Sequence, residues 1–273
     1  MSERFHRRDF LLGSAAGVAA ASGVALGLER RATRARSPAP STPAEALEPR
    51  RSSPGQGEPQ ASWSQGGEDL ILEQVFQFLE IPEPTYIDIG AYDPVIGSNT
   101  YLFYRKGSRG VLVEPNPIMA DRLSRGRPGD TVLNIGIGVT DQSEADFYVV
   151  GDRSQVNTFS KERADRYLEQ DKNAIRKVLK IPLVNIDKVL AEHFDGAPQL
   201  FSIDVEGLDL AILESLDFSR FRPQVFCVET LVYGTSRVVP EIFELMRAKS
   251  YAIRGGNFVN TVFVDAALLP GPA

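Results

Sequence analysis

The chain has 273 residues and a net charge of −6 at pH 7, and because residues 1–62 hold 9 Arg and 6 acidic residues, the remaining residues carry a net charge of −9. A domain with that charge repels phosphate backbones, which argues against a nucleic-acid partner. The single Cys227 excludes an internal disulfide and a cysteine-based zinc site.

Residues 1–28 have the composition of an export signal. Arg7 and Arg8 precede an apolar run rich in Gly and Ala over residues 13–28, a pattern typical of twin-arginine (Tat) signals. Residues 29–62, rich in Pro, Ser, Ala and Arg, predict a disordered linker. The sequence therefore predicts an exported, periplasmic protein, or one tethered to the membrane if the signal is retained. The alternative is a cytoplasmic protein with a wrongly assigned start codon.

Residues 63–273 predict one α/β domain, because apolar strands alternate with amphipathic helices. The first predicted elements, in chain order, are helix 64–80, strand 86–89, helix 98–106, strand 110–114, helix 117–125, strand 131–135 and an edge strand at 146–150. Region 152–180 is polar, and its second half is typical of a helix. The remaining elements are strand 183–186, helix 188–194, strand 200–204, helix 208–216, strand 223–229, helix 240–249 and a hairpin over 251–264.

Two acids are predicted at the carboxyl ends of neighbouring strands. Asp88 precedes the turn at Gly90, and Glu114 follows the next strand, at a spacing that suits hydrogen bonds to ribose hydroxyls. The turn lacks the G-x-G-x-x-G pattern that binds a pyrophosphate, since the next glycine is Gly97. This favours S-adenosylmethionine, which has no pyrophosphate and whose amino-acid tail suits Asp88. The alternative is that Asp88 caps the turn and Glu114 the next helix.

Several motifs resemble the FkbM-type family of S-adenosylmethionine-dependent methyltransferases. They are IDIGAYDP, SNTYLFYRKGSRGV, VEPNP, LFSIDVEGLDLAILESL and QVFCVET, preceded by SQGGED at residues 64–69. The resemblance spans roughly residues 63–264. It implies a class I methyltransferase fold, that is, a Rossmann-like, mostly parallel sheet with helices on both faces, here with a C-terminal antiparallel hairpin. It also implies methyl transfer to an oxygen, often a sugar hydroxyl of a glycan.

Three acids are the candidate catalytic residues. A sugar hydroxyl needs a proton acceptor or a metal, and Asp204, Glu206 and Glu229 lie at the ends of two predicted central strands. Asp204 is also a candidate for cofactor binding, and clustered carboxylates can hold a divalent cation, although no metal site is predicted. The alternative is that Glu206 and Asp209 cap or charge the first turn of helix 208–216. His193 lies on a predicted surface helix, where a solvated imidazole is the simpler interpretation.

Two polar pairs complete the candidate site. Asn99 and Thr100 open a predicted helix, so they either cap it or contact the cofactor's amino-acid tail. Asn157 and Thr158 lie in the polar insert and could bind a sugar acceptor. Two functions remain open. One is an O-methyltransferase acting on a glycan or small hydroxylated molecule, and the other is an exported methyltransferase-like domain that binds a ligand without turnover, since S-adenosylmethionine is made in the cytoplasm.

Overall fold

The computed structural model describes residues 60–150, 157–205, 207–231 and 235–271. The predicted export signal and all but the last three residues of the predicted linker lie outside these ranges. Within them, no helix combines the length and apolar character needed to cross a bilayer.

Seven helices and ten strands are present in the described ranges. The helices are α1 (Glu68–Phe78), α2 (Tyr101–Lys106), α3 (Pro117–Gly126), α4 (Lys161–Gln170), α5 (Ile186–His193), α6 (Asp209–Ser215) and α7 (Pro240–Ala248). The strands are β1 (Tyr86–Ile89), β2 (Gly110–Val113), β3 (Thr131–Leu133), β4 (Gly136–Gly138), β5 (Glu144–Val149), β6 (Lys177–Asn185), β7 (Leu200–Ile203), β8 (Val225–Glu229), β9 (Tyr251–Gly256) and β10 (Asn260–Asp265).

The main sheet has seven strands in the order β3-β2-β1-β7-β8-β10-β9. The first five are parallel to one another, whereas β10 runs antiparallel to both β8 and β9. The predicted class I fold and its C-terminal antiparallel hairpin are therefore confirmed. Strand order reverses between β1 and β7, and open α/β sheets bind their ligands outside the carboxyl ends of strands at such a point.

Helices cover both faces of the main sheet. Apolar residues of α1, α2 and α3, such as Phe76, Phe103 and Leu123, pack on one face. Those of α5, α6 and α7, such as Leu190, Leu213 and Met246, pack on the other face. Because strand side chains alternate between faces, each central strand is buried on both sides.

A second sheet of three strands, ordered β4-β6-β5, corrects the prediction for the polar insert. The helical assignment of the second half of 152–180 holds only as far as Gln170, where α4 ends. Residues 171–176 form no helix, and β6 begins at Lys177. The strand predicted at 183–186 is only the end of β6. The physical reason is non-local: β6 pairs in parallel with β4 and antiparallel with β5, and this pairing overrides local helical pattern. The predicted edge strand at 146–150 corresponds to β5, an outer strand of this sheet.

Capping residues decide where several helices begin. Asn116 Oδ1 accepts the backbone N–H of Ile118 at 3.0 Å before α3, whose first residue is Pro117. Helix α5 begins at Ile186 because Asn185 caps it in the same way. These side chains satisfy N–H groups that the helix itself leaves unpaired.

Candidate functional site

The candidate site lies at the carboxyl ends of β1 and β7, where strand order reverses. Gly90 follows β1 with φ 88°, a conformation that favours glycine. A Cβ on Gly90 would lie 2.1 Å from the backbone oxygen of Asp204, the residue that follows β7. The two loops therefore meet through backbone atoms, and only glycine permits this close approach.

Asp88 is buried near the end of β1, with 5% of its surface exposed. The Thr100 hydroxyl donates a 2.7 Å hydrogen bond to Asp88 Oδ2. Burial raises the pKa of the Asp88 carboxyl above its ordinary value, while the Thr100 hydrogen bond and the positive charge of Arg127 oppose that rise. The carboxylate is thus desolvated but held by a defined partner.

Asn99 and Thr100 do not cap α2 with their side chains. Asn99 Nδ2 instead donates to Ser202 Oγ on β7 at 3.2 Å, and the Thr100 hydroxyl donates to Asp88. The N–H of Tyr101 is accepted by Ser98 Oγ at 3.1 Å. Of the two interpretations of this pair, the structure disfavours capping and turns both side chains toward the ends of β1 and β7.

Glu114, directly after β2, is also buried. Its carboxylate accepts the backbone N–H of Tyr92 at 2.9 Å and that of Asn116 at 2.7 Å. Tyr92 has φ 52°, which is uncommon for an aromatic residue, and the hydrogen bond to Glu114 helps to hold it there. Burial raises the pKa of Glu114 to about 7, although both backbone hydrogen bonds oppose the rise and the nearby Asp88 adds to it. Asn116, not Glu114, supplies the side-chain cap of α3.

A narrow apolar cleft opens beside these loops, with a free volume of about 20 Å³. Its lining includes Gly90, Val113, Pro115, Gly136, Ile137 and Phe159. The Phe159 ring packs directly on Gly136, because a Cβ there would lie 2.6 Å from Phe159 Cζ. Strand β4, through Gly136 and Ile137, and Phe159, which precedes α4, thus form one wall of the cleft.

The three candidate catalytic acids are only partly described. Asp204 is half-buried after β7, and Glu229 is buried at the end of β8, with its Cα opposite that of Asn260 on β10. Glu206 lies outside the described residues. Its described neighbours Val205 and Gly207 both donate their backbone N–H groups to Asp209, at 3.2 Å and 3.0 Å.

His193 lies near the amino ends of the parallel strands, whereas Asp204 lies at their carboxyl ends. It is the last residue of α5, and the chain then enters β7 at Leu200, its amino end. Asp204 follows the carboxyl end of the same strand. The described ranges contain no group of three or more Asp, Glu, His or Cys side chains placed to hold a metal ion.

Asn157 and Thr158 take part in local structure. Asn157 Oδ1 accepts the N–H of Val150 at 2.8 Å, and Thr158 Oγ1 accepts that of Ser160 at 3.0 Å. Thr158 also exchanges two backbone hydrogen bonds with Tyr148. Their role in binding an acceptor stays a prediction.

The SQGGED element fixes the start of the domain to the sheet. Asp69 accepts hydrogen bonds from Ser62 Oγ, Ser64 Oγ and the N–H of Trp63, at 2.6 to 2.8 Å. Glu68, fully buried, accepts from Asn260 Nδ2 at 2.7 Å. The element therefore reaches the strand that pairs with Glu229.

Two buried arginines near the site were missed in the sequence. Arg127 is fully buried and donates to the Thr100 hydroxyl at 2.9 Å. Arg163, on α4, is also buried, and its Nη1 lies 3.4 Å from where a Cβ on Gly207 would be. For Arg127, the one sequence feature that could have pointed to this role is its spacing from Asp130, with which it forms a buried ion pair. Spacing alone does not reveal that such a pair is buried.

Comparison with known proteins shows a family match. The family model described as "Methyltransferase FkbM domain" matches residues 88–253, more than half of the chain. A comparison with curated proteins gives no match.

Several solved structures share similarity with the chain at low identity. A TehB-like SAM-dependent methyltransferase from Corynebacterium glutamicum has 11% identity and a TM-score of 0.40, covering 74% of this chain and 89% of that one. An O-methyltransferase from Bacillus cereus in complex with SAH has 13% identity and a TM-score of 0.39, covering 76% and 84%. Methyltransferase FkbM from Methylobacillus flagellatus has 16% identity and a TM-score of 0.39, covering 67% of this chain and 44% of that one.

Proposed function

Because the chain belongs to the FkbM methyltransferase family, we propose that it transfers a methyl group from S-adenosylmethionine to a hydroxyl of a sugar, a glycan or another small hydroxylated molecule. One observation carries the cofactor assignment. Two buried acids, Asp88 near the end of β1 and Glu114 directly after β2, lie at the carboxyl ends of neighbouring parallel strands, next to the point where strand order reverses between β1 and β7.

The residues at this point fit the parts of the cofactor. An ionised Asp88 attracts the ammonium group of the amino-acid tail. Glu114 uses two lone pairs for backbone N–H groups, and a carboxylate offers about four, which leaves acceptors for ribose hydroxyls. The apolar cleft beside Pro115 suits the adenine ring. When bound, S-adenosylmethionine supplies an electrophilic methyl group on a sulfonium.

The cleft must widen to admit adenine. Its free volume is about 20 Å³, whereas ligand pockets measure roughly 300 to 1,000 Å³. Phe159 is the aromatic side chain in its lining, so we expect its ring to move away from Gly136. A structure with S-adenosylhomocysteine bound tests this, and an unmoved ring beside the bound adenine would contradict it.

The acceptor hydroxyl is proposed to bind beside the ends of β7 and β8. Asp204 and Glu229 follow these two neighbouring strands, and Glu206 follows Asp204 in the sequence. One of the three carboxylates would accept the hydroxyl proton while the loops hold the oxygen in line with the methyl group. Orientation in a site that excludes water contributes the larger share of the rate acceleration in such a reaction. A general base increases the rate by a further factor of about 10² to 10⁴.

Calorimetric titration of the full chain with S-adenosylhomocysteine tests cofactor binding. Incubation with S-adenosylmethionine carrying a labelled methyl group, against a panel of sugars and glycans, then tests transfer. Binding together with labelled product supports the proposal. Binding without transfer to any hydroxylated acceptor would favour the ligand-binding domain without turnover, and no binding would reject the cofactor assignment.

A further inference from the structure

A buried arginine lies two hydrogen bonds away from Asp88. Arg127 follows α3 and has no exposed surface. Its Nε donates to Asp130 Oδ2 at 2.7 Å, and its Nη2 donates to the Tyr86 hydroxyl at 2.7 Å. Its Nη1 donates to Ser98 Oγ at 3.2 Å and to Thr100 Oγ1 at 2.9 Å. The guanidinium therefore joins the amino end of β1 to the loop beyond its carboxyl end.

Thr100 continues this chain of hydrogen bonds to the candidate cofactor site. Its hydroxyl accepts from Arg127 and donates to Asp88 Oδ2 at 2.7 Å. Since a hydroxyl has a single proton, accepting from the cation leaves that proton to point at the carboxylate. Hydrogen bonds in such a chain polarise and strengthen one another, and bonds to ionised groups are the strong ones.

Stability alone is a poor explanation for this arrangement. Asp130 balances the charge of Arg127 and also accepts the N–H of Gly110 at 2.9 Å. A buried ion pair is nevertheless weak support for stability, because desolvation offsets most of the attraction. The polar chain ends at a carboxylate in the candidate site, which gives it a second role to perform.

We propose that Arg127 is a positioning residue for the amino-acid tail of the cofactor and that it acts through Thr100 to hold the Asp88 carboxylate ionised and in one orientation. This inference rests on the proposed function. It adds a residue that touches neither the cofactor nor the acceptor. It also predicts a selective effect, because Asp88 serves the tail and not the adenosine.

Two ligands separate this role from a general structural one. S-adenosylhomocysteine carries the amino-acid tail, whereas methylthioadenosine has the same adenosine and thioether without it. Calorimetry would compare the affinities of both ligands for the full-length chain and for Thr100→Val, which keeps the shape of the side chain but removes the hydroxyl. Thr100→Ser restores the hydroxyl. Thr85→Val is the matched control, because it makes the same substitution at an exposed position whose hydroxyl bonds to Gln199 and not to Arg127.

We expect Thr100→Val to bind S-adenosylhomocysteine about tenfold or more weakly, as for the loss of a hydrogen bond to a charged group. Methylthioadenosine should bind as it does to the unmodified chain. Thr100→Ser should restore tail affinity, and Thr85→Val should leave the ratio of the two affinities unchanged. Arg127→Met should show the same tail-selective loss, and a folded Arg127→Met protein with normal tail affinity would overturn the inference. If Arg127→Met does not fold, Arg127→Lys, which loses the forked donor group, should show the tail-selective loss instead.

Equal weakening of both ligands in Thr100→Val, or no weakening, would overturn the inference, as would a failure of Thr100→Ser to restore tail affinity. Failure of the proposed function has a different signature, because the unmodified chain would then bind neither ligand.

Discussion

Cofactor affinity should depend on pH through Glu114. Burial raises the pKa of this carboxyl to about 7, and ribose hydroxyls donate to the ionised form. If the ligand binds only molecules with ionised Glu114, the competent fraction is about 0.9 at pH 8 and about 0.1 at pH 6. The affinity for S-adenosylhomocysteine should therefore fall about tenfold over that range.

Glu114→Gln is the matched control, because it keeps the size of the side chain and removes its titration. At pH 8 it should weaken binding by about 1 to 3 kcal/mol, the range for losing a charged hydrogen-bond partner. Between pH 8 and pH 6 it should lose the part of the pH dependence that Glu114 causes, whereas contributions from Asp88 or from the ligand remain. Calorimetry at several pH values measures both effects, and equal pH dependence in the two proteins would refute the reasoning.

The same pKa has an opposite consequence for the ligand-free protein. A carboxyl whose pKa is raised from 4.5 to about 7 on folding binds its proton more tightly in the folded state. Stability is therefore lost as pH rises from about 4.5 to 7, and the loss is complete above that range, at most about 3 kcal/mol. In urea unfolding, the free energy of unfolding of the unmodified chain should fall between about pH 4.5 and pH 7 more steeply than that of Glu114→Gln. A pH-independent difference in stability between the two proteins does not affect this comparison.

Three further outcomes are expected. Asp204→Asn or Glu206→Gln should lower turnover by about 10²-fold or more with little change in cofactor binding, whereas His193→Gln should have little effect. The reverse pattern would reject a carboxylate mechanism. Glu229→Gln tests the third acid in the same assay. Gly90→Ala should destabilise the domain by roughly 2 kcal/mol or more, because Gly90 has a positive φ and a Cβ there would lie 2.1 Å from the backbone oxygen of Asp204. This loss should exceed that of Gly196→Ala, where φ is 99° but no atom lies close to the added Cβ. Equal losses of unfolding free energy in urea would argue against the effect of the close approach. Replacing Arg7 and Arg8 by Lys should retain a reporter fusion in the cytoplasm, and normal export would remove the targeting proposal.

Local pattern was sufficient for the central sheet. Strands β1, β2, β7 and β8 are short apolar runs whose ends are marked by Gly90, Glu114, Asp204 and Glu229, and each was predicted within about two residues. Of the second sheet, β5 and the end of β6 were predicted as strands. The first part of β6, strand β4 and their pairing were not predicted, because β6 owes its conformation to partners about 28 to 47 residues away in sequence. The sequence of β6, KVLKIPLVN, also lacks the regular alternation of apolar and polar residues that indicates a strand.

Local periodicity, with the rule that parallel strands end at one edge, was enough to predict the elements of the main sheet, the Gly90 turn and the acids at the strand ends. The surroundings of each acid depend on packing. Glu114 has a pKa of about 7 because it is buried, and Asp88 is linked to Arg127 through Thr100 because residues far apart in the chain meet in the folded domain. Burial and hydrogen-bond partners are properties of the packed chain, so no residue type or spacing specifies them.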